Sequence, residues 1–306
     1  MNISVVITSY NEPNTIGKAI SQILKSSTEN LELIIVAPDD QTINSAKSEI
    51  SKYKNFKRFK ILKDKGIGKP SAINLGVKNA SGDILVFTDG DMYIDDNAIP
   101  LLLKGFAGER VAGVSGHPVS LDDRNTFWGF SSHLFCYGAH IMRARPERAS
   151  PKTTSSPMSG YLYAIKMTDS TKKLFPIPTD IRAEDAYISK KITEMGYKIN
   201  YVPDALAYVK FPKNLSDWIK QKKRSLGGNI QIQKRATLIS KGCQRGIIQD
   251  ISNALIPIRF ASSIKEYLYL LGIYPLRLYL WLIIYIQHHK NNYSTGRWEQ
   301  IKSSKS

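Results

Sequence analysis

The sequence predicts an α/β fold, in which a mostly parallel, twisted sheet is flanked by helices and followed by a basic helical region. Two observations carry this prediction. Unbroken apolar and β-branched runs at residues 3–7, 31–36 and 84–88 are typical of strands that are buried on both faces. Apolar residues at helical spacing fill the segments between these runs, and alternating strands and helices indicate a parallel sheet with right-handed crossovers.

The remaining elements of the first half follow from the same patterns. A helix begins after Asn14 or Thr15, either of which can act as its N-cap. The other elements predicted here are a helix at 42–53, a short strand at 59–62 and a basic loop at 65–70 that leads into a helix ending at Asn79.

The strand at 84–88 leads into two aspartates separated by a glycine, Asp89-Gly90-Asp91. Ligands of open α/β sheets bind beyond the carboxyl ends of the strands, so these acids lie where they can contact a ligand. Both side chains reach one pocket only if the glycine bends the backbone. Two carboxylates in one pocket repel each other, and a divalent cation relieves that repulsion. The alternative is a loop whose acids are solvated or cap the next helix.

Other residues that follow strands support a nucleotide site at the same edge. Thr8 and Tyr10 follow the first strand, and Asp39 and Asp40 follow the second. The sequence has neither a G-x-G-x-x-G run after its first strand nor a P-loop, which argues against an NAD-binding protein and an ordinary ATPase.

The bulk composition is that of a globular protein. The 306 residues are 42% hydrophobic and 23% charged, enough for one large domain with or without an appendage. Cys136 and Cys243 are too few and too distant for a disulfide framework or a structural zinc site, so we expect a reducing, cytosolic setting. The first residues run directly into a strand, and we expect no signal peptide.

The net charge of +17 is concentrated in the last third of the chain. Residues 210–306 hold 17 of the 43 Lys and Arg residues but only 4 of the 26 Asp and Glu residues. Nucleic acid, an anionic membrane surface or a phosphorylated substrate could each account for this. This third also holds the most apolar stretch, so an anionic membrane surface is favoured and no nucleic-acid partner is expected.

Four motifs follow one another in the chain: 5–12 (VVITSYNE), 68–76 (GKPSAINLG), 80–83 (ASGD) and Asp89-Gly90-Asp91. This series resembles the family 2 glycosyltransferases over roughly residues 1–230. The resemblance implies a GT-A fold and transfer of a sugar from a nucleotide-diphosphate donor with inversion at the anomeric carbon. The domains it implies are a glycosyltransferase domain at 1–230, with a nucleotide-binding half (1–115) and an acceptor half (116–230), then a basic, helical, membrane-associating region and tail at 231–306.

By position, the resemblance implies that Thr8, Tyr10 and Glu12 line the base and ribose of the donor. Lys69 lies in the basic loop, close to the nucleotide. The family usually has two acids directly after the second strand, whereas Ala37 and Pro38 intervene here; we favour Asp39 for the contact with the base. Simple packing is the alternative for Tyr10, and for Asn74 helix packing or capping is favoured over ligand contact.

The resemblance also implies the reacting groups. Asp89 lies near the ribose, and Asp91 is the ligand, with Asp89 beside it, of a metal on the donor diphosphate. Mg²⁺ or Mn²⁺ suits such an oxygen-only site. Gly160 lies where donor and acceptor sugars meet, although a Ser-Gly pair before a strand is often only a turn. The Glu184-Asp185 pair would supply the base, Asp185, with Glu184 orienting the acceptor or supporting the loop; acids in a first helical turn also suit the helix dipole.

A basic helix is predicted from Asn214, its N-cap, to the glycines at 227 and 228. Gln221 and Arg224 resemble the Q-x-x-R-W element of membrane-bound polysaccharide synthases, where it holds the donor and the acceptor end. Ser225 replaces the tryptophan, so a solvated basic helix face is an equal alternative.

Residues 267–286 are long enough to span a membrane, but Arg277 near their centre costs about 2.5–3.5 kcal/mol unless it reaches the interface. Their aromatic residues favour the membrane interface. Apolar residues at amphipathic spacing within 247–258 indicate a helix on a membrane surface. Three alternatives stay open: a span or half-buried hairpin, surface binding, and a helical cap without membrane contact. We expect a mobile tail at 298–305 and a catalytic domain on the cytoplasmic face of a membrane.

The acceptor and the function class have alternatives of their own. A glycan or lipid-linked acceptor offers a hydroxyl and needs the base, which we predict; a polyprenyl phosphate is already ionised and needs none. A nucleotidyltransferase also uses a nucleotide-binding sheet and acidic metal ligands, but the glycine-rich phosphate loop after the first strand is missing. A non-catalytic protein that binds membrane or nucleic acid rests on the charge alone.

Overall fold

A computed structural model describes residues 1–26, 30–145, 155–234, 254–289 and 301–304. In chain order, its strands are β1 (Ile3–Thr8), β2 (Leu31–Ala37), β3 (Phe59–Lys63), β4 (Ile84–Asp89), β5 (Tyr93–Ile94), β6 (Val111–Ser120), β7 (Leu162–Lys166) and β8 (Lys198–Val209).

These strands form one sheet in the order β3-β2-β1-β4-β7-β6-β8-β5. The strands β1 to β4 run parallel to one another, as the alternation of strands and helices predicts. In contrast, β7 runs antiparallel to both β4 and β6, and β5 runs antiparallel to β8, while β6 and β8 are parallel. The predicted α/β sheet is therefore confirmed, parallel in its first half and mixed in its second.

The described helices flank this sheet and extend beyond it at the C-terminal side. They are α1 (Ile16–Lys25), α2 (Asp40–Ser51), α3 (Lys69–Asn79), α4 (Ala98–Lys104), α5 (Phe127–Ala144), α6 (Glu184–Glu194), α7 (Leu215–Lys234), α8 (Leu255–Phe260) and α9 (Ile264–His289), with 3-10 turns at Thr171–Leu174 and Lys302–Ser304.

Alternate residues of the central strands pack into two hydrophobic cores, one on each side of the sheet. Val5 and Ile7 of β1 pack with α1, α2 and α4. Val6, which lies between them, packs with α3 and α6 on the opposite side. All three are fully buried, and burying such a side chain stabilises the fold by about 1.5–3 kcal/mol. The central strands therefore hold their carboxyl ends in fixed positions.

Two helices, α6 and α7, differ from the sequence prediction by several residues at one end. The acids and apolar spacing of residues 180–195 predict a helix that opens at Asp180, but α6 begins at Glu184, because Ala183 before it has a φ of −125° and a ψ of 81°, outside the helical region. The helix α7 continues through the glycines at 227 and 228 to Lys234. Its predicted N-cap is confirmed, since Asn214 Oδ1 accepts a hydrogen bond of 2.9 Å from the N–H of residue 217.

The C-terminal helices α8 and α9 pack against α5 and α7. Phe130 of α5 lies in one apolar cluster with Leu270 of α9, and Trp218 of α7 lies in another with Leu280. None of the helices in the described part of the chain has the combination of length and apolar character that crossing a bilayer requires. Of the predicted amphipathic segment 247–258, only the residues from 254 onward are described.

The prediction of a mobile tail is wrong for residues 301–304. The backbone N–H and the hydroxyl of Ser303 donate to Asp217 Oδ2 at 3.1 and 2.7 Å, and Ile301 is buried. These contacts attach the tail to the first turn of α7. The preceding residues of the predicted tail, including Trp298, lie outside the described residues.

Candidate active site

The register of the sheet brings three predicted site residues to one edge. In the parallel pair of β1 and β4, Thr8 is opposite Asp89, and the Thr8 hydroxyl donates to Asp89 Oδ1 at 2.9 Å. Because β7 is antiparallel to β4, the start of β7 meets the end of β4. Gly160, which precedes β7, therefore lies at the same edge as Asp89.

Lys69 lies at the centre of this edge rather than on its surface. It begins α3 and follows Gly68, whose φ of +135° is one that glycine adopts readily. Its Nζ lies 2.8 Å from Asp89 Oδ2 and 3.0 Å from Glu184 Oε1, and donates to the Gly160 carbonyl at 3.3 Å. Only 9% of the Lys69 side chain is exposed.

The opposite charges of Lys69, Asp89 and Glu184 favour the ionised form of the lysine and oppose the effect of burial. Burial disfavours the ammonium form of Lys69, but Asp89 and Glu184 outweigh it and hold the pKa of Lys69 well above its usual value. Burial raises the pKa of Glu184, and the charge of Lys69 opposes that rise. Lys69 is therefore a buried cation shared by two carboxylates, Asp89 at the end of β4 and Glu184 at the start of α6.

The Glu184-Asp185 pair opens α6 beside this cation. Asp185 Oδ2 accepts the N–H of Gly160 at 2.9 Å, and Oδ1 accepts the N–H of Ala186 at 2.8 Å. A Cβ placed on Gly160 would lie 3.2 Å from Asp185 Oδ2, tighter than most contacts of this kind. Gly160 thus binds Lys69 through its carbonyl and Asp185 through its N–H. Both acids also lie in the first turn of the helix, where its dipole favours them.

The loop after β1 separates an exposed residue from a buried one. Asn11 has a φ of +52°, in the left-handed region that asparagine tolerates. On either side of it, Tyr10 is 44% exposed and Glu12 is 7% exposed. Glu12 Oε2 accepts the Ser9 hydroxyl at 2.6 Å, and a Cβ placed on Gly90 would collide with both side chains. Glu12 therefore lies against the turn between the two aspartates of the Asp-Gly-Asp motif.

Asp39 connects the loop after β1 with the start of α2. Its Oδ1 accepts the N–H of Thr42, which makes Asp39 the N-cap of α2, and its Oδ2 accepts the N–H of Asn11, each at 2.9 Å. Burial raises the pKa of Asp39, but the hydrogen bonds from Thr42 and Asn11 outweigh it, so this pKa lies below its usual value. Both carboxylate oxygens thus bind groups of the protein itself.

The donor set at the end of β4 fits a hard divalent cation only with help from a substrate. Asp91 is half-buried in the turn after β4, and both oxygens of Asp89 accept hydrogen bonds from Thr8 and Lys69. Nowhere in the described ranges do three or more His, Cys, Asp or Glu side chains form a group that could hold a metal. Mg²⁺ commonly binds one or two carboxylates and takes its other ligands from phosphates and water. The residues present fit that arrangement.

The helix α7 packs against the loop that precedes the Glu184-Asp185 pair and forms hydrogen bonds with it. A Cβ on Gly228 would lie 2.8 Å from Ala183 Cβ and 3.1 Å from its backbone nitrogen, so only glycine allows this approach. Gln231 Nε2 donates to the carbonyl of Asp180 at 2.9 Å, and its Oε1 accepts the N–H of Arg182 at 3.2 Å. These contacts hold the loop 180–183 in place.

Gln221 and Arg224, the two residues predicted to bind the donor, both lie in α7. Arg224 is close enough to Tyr161 that its charge opposes the rise in the pKa of Tyr161 caused by burial. The buried Oε1 atom of Gln221 has no hydrogen-bond partner among the residues that the structure describes. An unmatched buried acceptor of this kind is costly unless a ligand or water satisfies it.

Two buried hydroxyls near the site were not singled out by sequence reasoning. The N–H of Ser159 donates to Ser115 Oγ at 2.8 Å, and in the described structure neither Ser159 Oγ nor Tyr163 Oη has a partner. Burial, and then the charge of Glu184, raise the pKa of Tyr163 well above its usual value. The only sequence signal was the position of Ser159 next to Gly160.

The predicted packing role of Asn74 is confirmed by its hydrogen bonds. Its Nδ2 donates to the carbonyl of Ile177, and its Oδ1 accepts the N–H of the same residue, each at 2.7 Å. Asn74 therefore fixes the backbone near residue 177 instead of facing the site.

Known proteins share this fold and sequence pattern. The chain is 25% identical over 241 residues to poly-β-1,6-N-acetyl-D-glucosamine synthases of Staphylococcus epidermidis and Staphylococcus aureus, a match that covers 76% of the chain and 56% of each synthase. The chain thus spans about half the length of these curated relatives.

Two solved structures have a similar fold. One is the mannosyltransferase PcManGT from Pyrobaculum calidifontis in complex with GDP-Man and Mn²⁺, with a TM-score of 0.66 and 17% identity over 95% of this chain and 88% of that one. The other is TarS of S. aureus, with a TM-score of 0.50 and 16% identity over 86% of this chain and 44% of that one. The model of glycosyl transferase family 2 matches residues 4–166, more than half of the chain, and the protein belongs to that family of enzymes.

Proposed function

We propose that this glycosyltransferase moves a sugar from a nucleotide-diphosphate donor to a hydroxyl of a glycan or lipid-linked acceptor, with inversion at the anomeric carbon. The donor side is the edge formed by Thr8, Asp89 and Asp91. The acceptor side is the start of α6, with Asp185 as the base.

The observation that carries this proposal is the position of Gly160 between the two sides. Its carbonyl accepts a hydrogen bond from Lys69, which is paired with Asp89, and its N–H donates to Asp185. A sugar held at the end of β4 would therefore have the Asp185 carboxylate close by. Holding a base close to the two groups that react, the acceptor hydroxyl and the donor sugar, accounts for much of the rate enhancement of group transfer.

The reaction needs a proton acceptor and a stabilised leaving group. Asp185 takes the proton of the acceptor hydroxyl while its oxygen forms a bond to the anomeric carbon, and the bond from that carbon to the nucleoside diphosphate breaks. Lys69 keeps Asp89 and Glu184 fixed at neutral pH. Bound Mg²⁺ or Mn²⁺, held by Asp91 with Asp89 beside it, would supply positive charge to the departing diphosphate.

Other residues bind the donor in this proposal. Exposed Tyr10 stacks on the base, next to Asp39 and the loop carrying Glu12. On α7, Gln221 and Arg224 contact the diphosphate or the acceptor end. Support for the donor class comes from PcManGT, a protein of similar fold whose structure contains GDP-Man and Mn²⁺.

The decisive experiment supplies purified protein with labelled nucleotide sugars, including GDP-mannose and UDP-N-acetylglucosamine, with Mg²⁺ or Mn²⁺ and candidate acceptors. We expect release of a nucleoside diphosphate and transfer of the label. Asp185→Asn should lower kcat by about 10²–10⁴-fold, the usual contribution of a positioned base. It should lower the melting temperature only modestly, because the amide oxygen still accepts one of the two N–H groups that Asp185 binds.

The matched control is Glu194→Gln, which removes a partly exposed acid paired with lysines at the other end of α6 and should keep full activity. In a thermal-shift assay, Asp91→Ala should remove the metal-dependent stabilisation by nucleoside diphosphates. Full activity of Asp185→Asn would contradict a hydroxyl acceptor and favour a polyprenyl phosphate. Release of pyrophosphate instead of nucleoside diphosphate would identify a nucleotidyltransferase.

A further inference from the structure

One side of α9 is an exposed apolar stripe. Large apolar residues recur every three, four or seven positions along it, and each exposes between 55% and 83% of its surface. In order they are Ile264, Leu268, Leu271, Leu278, Leu282 and Tyr285. The neighbouring helix α8 extends the stripe with Leu255 and Ile258, which are 60% and 44% exposed. Helices of soluble domains usually direct such a stripe at the core.

The opposite side of α9 is fixed to the domain, so the stripe has a defined orientation. Glu266 accepts hydrogen bonds from Arg124 Nε at 2.6 Å and Nη2 at 3.1 Å. The hydroxyl of Tyr269 donates to the carbonyl of Asn125 at 2.6 Å. Leu280 is fully buried.

The exposed charges of α8 and α9 that lie beside the stripe have one sign. Within residues 254–289 the sequence has a single acid, Glu266, and that acid is buried against Arg124. Arg259 and Lys265, by contrast, are exposed beside Ile258 and Ile264. An anionic surface complements this arrangement, whereas a second copy of the chain would bring like charges together.

Aromatic residues border the stripe in the manner of interfacial helices. Tyr267 and Tyr279 lie next to it along α9 and are 46% and 49% exposed. Tyrosine places its ring among acyl chains and its hydroxyl among headgroups, and is enriched at membrane–water interfaces.

We propose that α8 and α9 lie in the headgroup region of an anionic lipid bilayer, with the axis of α9 parallel to the membrane plane and the stripe directed at the acyl chains. An amphipathic helix bound in this way inserts its apolar face without crossing the bilayer. Because α9 contacts α7 through Leu280 and Trp218, the acceptor side of the domain is held near the membrane. The membrane contact itself does not depend on sugar transfer.

The test is co-sedimentation of the full chain with phosphatidylcholine vesicles, with and without phosphatidylglycerol. We expect binding to the anionic vesicles that weakens as salt is added. A variant combining Leu268→Ser, Leu271→Ser and Leu278→Ser should lower binding by roughly tenfold or more, because three side chains lose their burial in lipid. These side chains are exposed, so the variant should fold with an unchanged melting temperature.

The matched control combines Phe59→Ser, Leu121→Ser and Leu215→Ser, three apolar residues of 40–45% exposure outside the stripe, and should bind as the wild type does. The proposal is overturned if phosphatidylglycerol does not increase co-sedimentation of the wild type, or if both triple variants bind equally well. It is also overturned if light scattering finds a dimer that only the Leu268, Leu271 and Leu278 variant dissociates. Retention in the membrane after an alkaline carbonate wash would overturn the in-plane placement.

Discussion

At the scale of single residues, the buried cation Lys69 decides how the site is held. Asp89 and Glu184 come from distant parts of the chain, and each lies within 3.0 Å of its Nζ. Without the lysine, two carboxylates would face each other in a place where less than a fifth of either side chain is exposed. Removing one member of a buried ion pair costs more than the pair itself contributes, because the remaining charge is left unpaired.

We therefore expect Lys69→Met to lower the free energy of unfolding by about 3–5 kcal/mol and to abolish transfer. The free energy is measured by urea denaturation and the activity by nucleoside diphosphate release. The double variant Lys69→Met with Glu184→Gln should recover much of the stability, because one of the repelling charges is removed, but none of the activity. A Lys69→Met variant as stable as the wild type would show that the ion pair does not hold the site together.

At the scale of elements, the contact between α7 and the loop 180–183 sets the position of α6. Gly228 lets the helix approach Ala183 directly, and Gln231 binds the loop backbone at two points. The loop ends at Glu184, so any shift of α7 also shifts Asp185, the proposed base. A displacement of about 1 Å in a reacting group can cost about 10²-fold in rate.

Accordingly, Gly228→Ala should lower kcat by about one to two orders of magnitude, measured in the transfer assay, because its Cβ pushes the loop away. The control is Gly138→Ala in α5, where an added Cβ meets nothing within 4 Å. That change should stabilise the protein by about 0.5–1 kcal/mol with unchanged kcat. Equal activity of the two variants would argue against the positioning role of α7.

At the scale of the whole molecule, two acids make the stability depend on pH. Hydrogen bonds from Arg124 lower the pKa of Glu266 to about 2. For Glu32, burial raises the pKa, but hydrogen bonds from Ser4, Ser81 and Lys60 outweigh it and also bring it to about 2. Glu266 attaches the C-terminal helices, and Glu32 connects β2 to the residues before β4.

Since both native pKa values lie below the usual 4.5, their stabilising effect is complete above that pH and is lost as the pH falls towards 2. We expect the melting temperature, followed by calorimetry, to fall over this range. Glu266→Gln should lower the melting temperature at neutral pH and flatten its dependence below pH 4.5. The same slope in the variant and the wild type would exclude Glu266 as a contributor.

Much of the first half of the fold is predictable because its signals are local. The strands β1, β2 and β4 are continuous apolar runs, and the acids after them lie where parallel strands end. By contrast, β8 (Lys198–Val209) carries Pro203 and Asp204 at exposed positions and shows no clean alternation. This strand forms because it pairs with β6, and the residues of β8 alone do not predict that pairing.

The site was predicted residue by residue but not as a network. The sequence predicts Lys69 only as a residue of a basic loop close to the nucleotide, and the approach of β4 and α6 makes it a buried cation. Likewise, the glycines at 227 and 228 are typical of a helix end, yet packing against Ala183 overrides that local preference. Contacts between residues far apart in the chain account for both differences.

The shared cation has a consequence for protein engineering. A chimaera that joins the first half of this enzyme to the second half of a relative would combine Lys69 and Asp89 with a foreign counterpart of Glu184. If that counterpart were neutral, Lys69 would lose one of its two carboxylate partners. A working chimaera should therefore inherit all three charged positions, Lys69, Asp89 and Glu184, from one parent.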